Sequence, residues 1–189
     1  MSESDRGPLP VLPTLASKYR TGLSAIGAVA FLVYATPSPV SLKWGMIIIL
    51  LGEVLRVWAS GHIVKNDGIT REGPYSLSRN PLYVGNFIIG TGFVVAAGNS
   101  WIVPFFLVFF VVLYSFTISY EEQFLQMMFP EEWESYRKSV PRFFSPGILL
   151  DYVPGEFSWE LVVKHREVRN LPALLIAAII LWLKYVLLR

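Results

Sequence analysis

The chain contains no cysteine. Disulfides, thiolate metal sites and cysteine nucleophiles are therefore excluded, and the redox compartment is left open. Histidine occurs twice, at His62 and His165, with no metal-ligand company around either, so no metal site is expected. Charge is scarce as well. Sixteen Lys and Arg and 14 Asp and Glu make up only 16% of the 189 residues, and the net charge is +2. No dense basic tract is present, which leaves no footing for a nucleic-acid partner. The N-terminal stretch MSESDRGPLPVLPTLASKYR is acidic, then proline-rich, then basic. It lacks the compact basic region and apolar core of a cleaved signal and reads as a flexible tail over residues 1–20.

Apolar residues are abundant instead, at 53% with a mean hydropathy of +0.49. They fall in long runs, and a spanning helix needs roughly 20 such residues. Five spans are expected: Thr21 to Thr36, Val40 to Gly61, Pro81 to about Ala97, Trp101 to about Tyr120, and Leu171 to Leu188. The fold class is thus all-α, a polytopic membrane protein. Very short links (PSP and GNS) make helical hairpins of the first and second spans and of the third and fourth. With the N-terminus in the cytoplasm, twelve basic residues lie inside and three outside, counting Lys43, Lys184 and Arg189 as outside and Arg56 as within a span. That orientation puts residues 62–80 and 121–170 together on the cytoplasmic face. The expected organisation is a tail (1–20), a transmembrane hairpin (21–62), a core (63–146), and an interfacial helix with a final span (147–189).

Two polar clusters stand out on that face. In REGPYSLSRNPLYVGN, residues 71–86, Gly73–Pro74 marks a turn, and Asn80–Pro81 reads as helix cap and first helical position. The amides at that helix start suit a carboxylate or phosphate. A capped helix with Arg79 on headgroup phosphates and tyrosines in the aromatic belt explains the stretch equally well. The second cluster is EEQFLQMMFPEEWESYRKSVPRFFSP, residues 121–146. Adjacent carboxylates at Glu121 and Glu122 point about 100° apart on a helix, so one can face a site and the other solvent or a basic partner. Trp133 and Tyr136 read as part of a membrane-surface layer, and a solvated interfacial helix is the plain alternative. Glu53 and Arg56 stand three apart inside a span and are expected to pair with each other. Residues 156–170 read as a surface helix with a basic end suited to anionic lipid.

Taken together, GPYSLSRNPLYVGN and EEQFLQMMFPEEWESYRKSVPRFFSP resemble the isoprenylcysteine carboxyl methyltransferases and the related phospholipid methyltransferases, over roughly residues 45–146. The resemblance implies an integral-membrane enzyme that uses S-adenosylmethionine on a lipophilic small-molecule or prenylated acceptor drawn from the lipid bilayer. It implies catalytic roles for Arg79, Glu122 and Arg142, and cofactor binding by Gly73, Pro74, Tyr75, Asn80, Tyr83 and Glu121. Asn80 replaces the usual histidine, Ser139 replaces a basic residue, and Phe129–Pro130 replaces Phe-Gly; the first two weaken the case for a prenylcysteine carboxylate as substrate. Sterol-reductase-like enzymes that bind NADPH share the core, but Leu82 and the intact Glu121–Glu122 pair favour methyl transfer. An inactive scaffold of the same fold is the third alternative.

Overall fold

A computed structural model describes residues 31–63, 68–144, 151–165, 167 and 170–187. The expected tail and most of the first expected span lie outside these residues; of that span, residues 31–34 are seen and are helical. The described residues form helices and no strand. In chain order the helices are α1 (Pro39–Ser60), α2 (Pro74–Leu77), α3 (Pro81–Ala97), α4 (Ile102–Met128), α5 (Pro130–Ser139), α6 (Trp159–Lys164) and α7 (Asn170–Leu187).

Local chemistry sets several ends. Ser38 and Ser41 form a reciprocal capping box at the start of α1, with Pro39 in the first turn. Gly98 closes α3 in the left-handed conformation, φ 68°, that glycine adopts without penalty. The 27 residues of α4 extend about 40 Å, longer than a bilayer's apolar core of about 30 Å. Glu121 and Glu122 therefore sit within a continuous helix that runs past the expected end of its span at Tyr120.

The main packing is α1 against α3, antiparallel and very close. A Cβ on Gly45 would come 2.6 Å from the Gly92 carbonyl, and one on Gly92 would come 2.8 Å from the Gly45 carbonyl. Two turns further along, Gly52 and Gly85 repeat the arrangement at 2.9 and 3.1 Å. Small residues at such a seam let backbones approach within van der Waals contact, which drives helix association where the hydrophobic effect is weak. The seam places the end of α1 beside the start of α3. α4 returns along α3 through ring contacts, Phe87–Phe106 stacked with centroids at 5.7 Å and Tyr83–Tyr114 edge to face at 5.2 Å.

By length and composition, α4 and α7 can each cross a bilayer; α3 is apolar but has only 17 residues. Phe105, Val108 and Val111 on α4 and Leu175, Ile176 and Trp182 on α7 are each more than half exposed. Apolar faces of that extent belong in lipid. Lys184 on α7 donates to the carbonyls of Leu32 and Val33, which ties the last helix to residues 31–34. The expected surface helix over 156–170 is shorter, Trp159–Lys164, and it is docked rather than free. Val162 is fully buried, Ser158 N–H donates to the Gly61 carbonyl at 2.9 Å, and His165 Nδ1 lies 3.2 Å from the Ser60 carbonyl.

Gly92→Val drives a branched side chain into the α1 backbone, so it should destabilise the protein by about 1–3 kcal/mol. Leu50→Ala, on the exposed face of α1, should stay within about 0.5 kcal/mol. Thermal unfolding of both variants in detergent checks the pair.

Candidate functional site

The loop between α1 and α3 is built on Gly73. Its φ is 57°, and a Cβ there would lie 2.4 Å from the His62 ring, so only glycine fits. Gly73 N–H donates to the Val153 carbonyl at 2.8 Å, and Val153 N–H donates to Ser76 Oγ at 3.1 Å. Residues 151–158 thus strap the loop. On its other side runs the Val-Pro-Arg segment: Arg79 N–H donates to the Pro141 carbonyl at 2.9 Å and Ser78 Oγ to the Arg142 carbonyl at 3.2 Å. Tyr136 of α5 is buried and donates from its hydroxyl to the Tyr75 carbonyl at 2.8 Å.

These contacts converge on Glu122. Arg142 donates to Glu122 Oε2 through Nη2 at 2.7 Å and through Nε at 3.1 Å. Arg79 Nη1 lies 3.2 Å from Glu122 Oε1, an ion contact without hydrogen-bond alignment. Asn80 Nδ2 donates to Glu122 Oε1 at 3.3 Å and to the Arg142 carbonyl at 3.2 Å. One helix turn into α3, the Tyr83 hydroxyl donates to Glu121 Oε1 at 2.5 Å. The charged Arg142–Glu122 hydrogen bonds are of the strongest type in the site, and Arg79 adds a second positive charge to the same partly buried carboxylate.

A cavity of about 420 Å³ opens beside this cluster, within the roughly 300–1,000 Å³ of small-molecule sites. Tyr75, Arg79, Asn80, Tyr83, Glu121 and Glu122 line it, together with Leu82, Phe124, Leu125, Phe129 and Trp133. The Arg79 guanidinium lies over the Trp133 ring at 5.3 Å, and Arg71 lies over Tyr136 at 5.7 Å. Three polar atoms of the lining, the Tyr75 hydroxyl and Arg79 Nε and Nη1, are buried without a hydrogen-bond partner among the described residues. Burial pushes the Tyr75 and Tyr136 phenols well above their usual range, so both remain neutral hydroxyls.

Six of the nine residues singled out from the sequence therefore share the cavity. Gly73 and Pro74 do not line it and shape the turn behind it; Arg142 reaches Glu122 from outside the lining. Three expectations are corrected. Asn80 occupies the cap position of α3, but its side chain caps nothing, because its amide is drawn to Glu122 and the Arg142 carbonyl. Trp133 and Tyr136 are buried at 3% and 2% exposure and form the cavity's aromatic wall rather than a membrane-surface layer. Arg56 is not paired chiefly with Glu53, which lies 4.0 Å away; it binds Glu167 at 2.7 Å and donates to Asn86. Arg56 and Asn86 also line the cavity, and sequence reading missed both as site residues. Asn86 carried a signal in its position three residues after Tyr83, on the same helix face; Glu167, 111 residues from Arg56, carried none.

The family model described as phospholipid methyltransferase matches residues 40–132. Over those residues, just under half of the chain, it is similar to the phospholipid methyltransferase family. The match takes in the α1–α3 seam, the polar loop and the Glu121–Glu122 pair. Among curated relatives, the cobalt-zinc-cadmium resistance protein CzcN of Cupriavidus metallidurans is 33% identical over 136 residues, 71% of this chain and 61% of its own length. The nickel-cobalt-cadmium resistance protein NccN of Alcaligenes xylosoxydans xylosoxydans is 30% identical over 105 residues, 54% of this chain and 49% of its own. A probable 7-dehydrocholesterol reductase of Acanthamoeba polyphaga mimivirus is 32% identical over 89 residues, 43% of this chain and 20% of its own. The chain thus spans less than two thirds of each relative's length. No solved structure matches it significantly.

Glu122→Gln leaves two guanidiniums facing a neutral amide. It should cost about 2–3 kcal/mol of stability, below the roughly 3–5 of a fully buried pair because the Arg142 side chain is 39% exposed. Glu134→Gln, which breaks only exposed pairs with Arg137 and Lys138, should leave the thermal midpoint unchanged. Comparing the two melting curves tests the contrast.

Proposed function

We propose that the chain is an integral-membrane methyltransferase that uses S-adenosylmethionine to methylate a lipophilic or amphiphilic acceptor, such as an isoprenylcysteine carboxylate or another lipid. The observation that carries this reading is the cavity itself. It lies largely within the residues similar to the phospholipid methyltransferase family and joins carboxylates, guanidiniums, aromatic rings and unmet buried donors in one lining.

The lining fits the cofactor's groups. The unmet N–H groups of Arg79 and the Tyr75 hydroxyl suit its carboxylate. Glu121, beside Tyr83, offers a carboxylate in the lining to its ammonium. Trp133, Phe124 and Phe129 offer apolar surface to its rings. When bound, the cofactor supplies an electrophilic methyl group on a sulfonium. The residues here need only hold two reactants in line and keep water out, which can supply much of the rate. A carboxylate acceptor needs no base; an amine acceptor must reach the site unprotonated. Leu82, Phe124 and Leu125 give the cavity an apolar side suited to a lipid tail.

In this reading the bundle has five spans with the N-terminus and the site on the cytoplasmic side, as the distribution of Lys and Arg favours. Residues 63–146 then form the catalytic core, between the hairpin of 21–62 and the C-terminal segment of 147–189. The similarity to a probable 7-dehydrocholesterol reductase supports a second reading, a reductase that binds NADPH in the same cavity.

Calorimetry on the protein in lipid nanodiscs separates the two. S-adenosylmethionine should bind, Glu122→Ala should weaken it at least tenfold, and NADPH should not compete; binding of NADPH alone replaces the first reading with the second. Topology can be tested cleanly because the chain has no native cysteine. In inverted vesicles, Lys138→Cys should react with an impermeant maleimide and Ser100→Cys should not, and the reverse pattern overturns the orientation.

A further inference from the structure

The cavity has a second polar end that the Glu122 cluster does not reach. Asn86 lies six residues beyond Asn80 on α3, about 9 Å further along the helix. There Arg56 of α1 and Asn86 line the cavity together, and Arg56 donates to the Asn86 side chain. The Arg56 guanidinium is fixed from behind by Glu167. Its Nε donates to Oε2 at 3.2 Å, and its Nη2 contacts Oε1 and Oε2 at 2.8 and 2.7 Å. Asn170 Nδ2 in turn donates to Glu167 Oε2 at 3.0 Å, and Glu167 is only 6% exposed. These bonds occupy the Nε and Nη2 side of the guanidinium and leave an Nη1 hydrogen beyond the one given to Asn86.

We infer that Glu167 is a positioning residue for this site: from the segment after the matched core, it presents Arg56 to the bound ligand. Residue 167 lies 35 positions past the end of the family match, so within the matched residues Arg56 has only its bond to Asn86 and the longer contact with Glu53. Glu53 is the weaker partner: it stands 4.0 Å from Arg56 Nε against 2.7 Å for Glu167, and its oxygens make no hydrogen bond among the described residues. With Glu167 holding it, Arg56 is a charge-compensated donor with its orientation set in advance. Such a donor suits a neutral hydrogen-bond acceptor on the ligand, a hydroxyl or ring nitrogen, better than a second anion. Preorganisation of this kind strengthens binding by removing the cost of ordering a long side chain. The inference rests on the reading of S-adenosylmethionine as the ligand, and its test is arranged so that the two can fail separately.

The experiment uses the full chain in nanodiscs with Glu167→Gln, Arg56→Gln and the double variant, each first shown to melt as a folded protein. Arginine modification by phenylglyoxal, read by peptide mass spectrometry without ligand, should label Arg56 several-fold faster in Glu167→Gln than in the wild type. Equal labelling overturns the inference whatever the ligand. S-adenosylmethionine affinity should fall at least tenfold in Glu167→Gln and in Arg56→Gln, and the double variant should bind no worse than Arg56→Gln alone, since Glu167 acts through Arg56. Additive losses, or wild-type affinity in Glu167→Gln, also overturn it. A wild type that binds no S-adenosylmethionine removes the proposed function, and the labelling result then decides the positioning claim by itself.

Discussion

Glu122 is the point on which the site depends. A carboxylate at this depth needs compensation, and it draws that compensation from two separate stretches of chain: Arg79 and Asn80 at the start of α3, and Arg142 after α5. Removing it would leave two guanidiniums facing each other across a partly buried space. Because α4 carries Glu122 as part of a long, continuous helix, the cluster also fixes the polar loop to the membrane-spanning frame. Glu121, Tyr83 and the aromatic wall of Trp133 and Tyr136 then fall around one cavity as a consequence.

That arrangement needs the α1–α3 seam beneath it. The glycines at 45, 52, 85 and 92 bring two backbones within contact distance, so the start of α3 cannot drift from the end of α1. The strap of residues 151–158 and the Val-Pro-Arg segment hold the loop from two sides through backbone hydrogen bonds. The polar site is therefore built on rigid supports, as precise positioning of two reactants requires.

Much of this was legible in the sequence. Apolar runs located α1, α3, α7 and the start of α4 closely, because hydropathy over about 20 residues is a strong signal. The two polar clusters were recognisable by residue type, and they do meet. What stayed hidden was side-chain partnership over long separations. Asn80 carried a helix-cap signature, yet tertiary contacts with Glu122 and Arg142 won its amide. Arg56 had Glu53 three residues away, but Glu167 offers a bidentate geometry that a neighbour on the same helix cannot match. Trp133 and Tyr136 have the composition of a membrane-surface layer, and only the fold of α5 back over the loop buries them. The glycine pairs were invisible for a related reason: a seven-residue spacing shows a seam only once the partner helix is known.

The central claim is that the two polar clusters and the cavity between them are one ligand site. Photolabelling with tritiated S-adenosylmethionine, followed by peptide mapping, addresses it directly. The account predicts label in residues 75–86 or 121–136, lost when unlabelled S-adenosylhomocysteine is present. Competed label confined to any other part of the chain would contradict it.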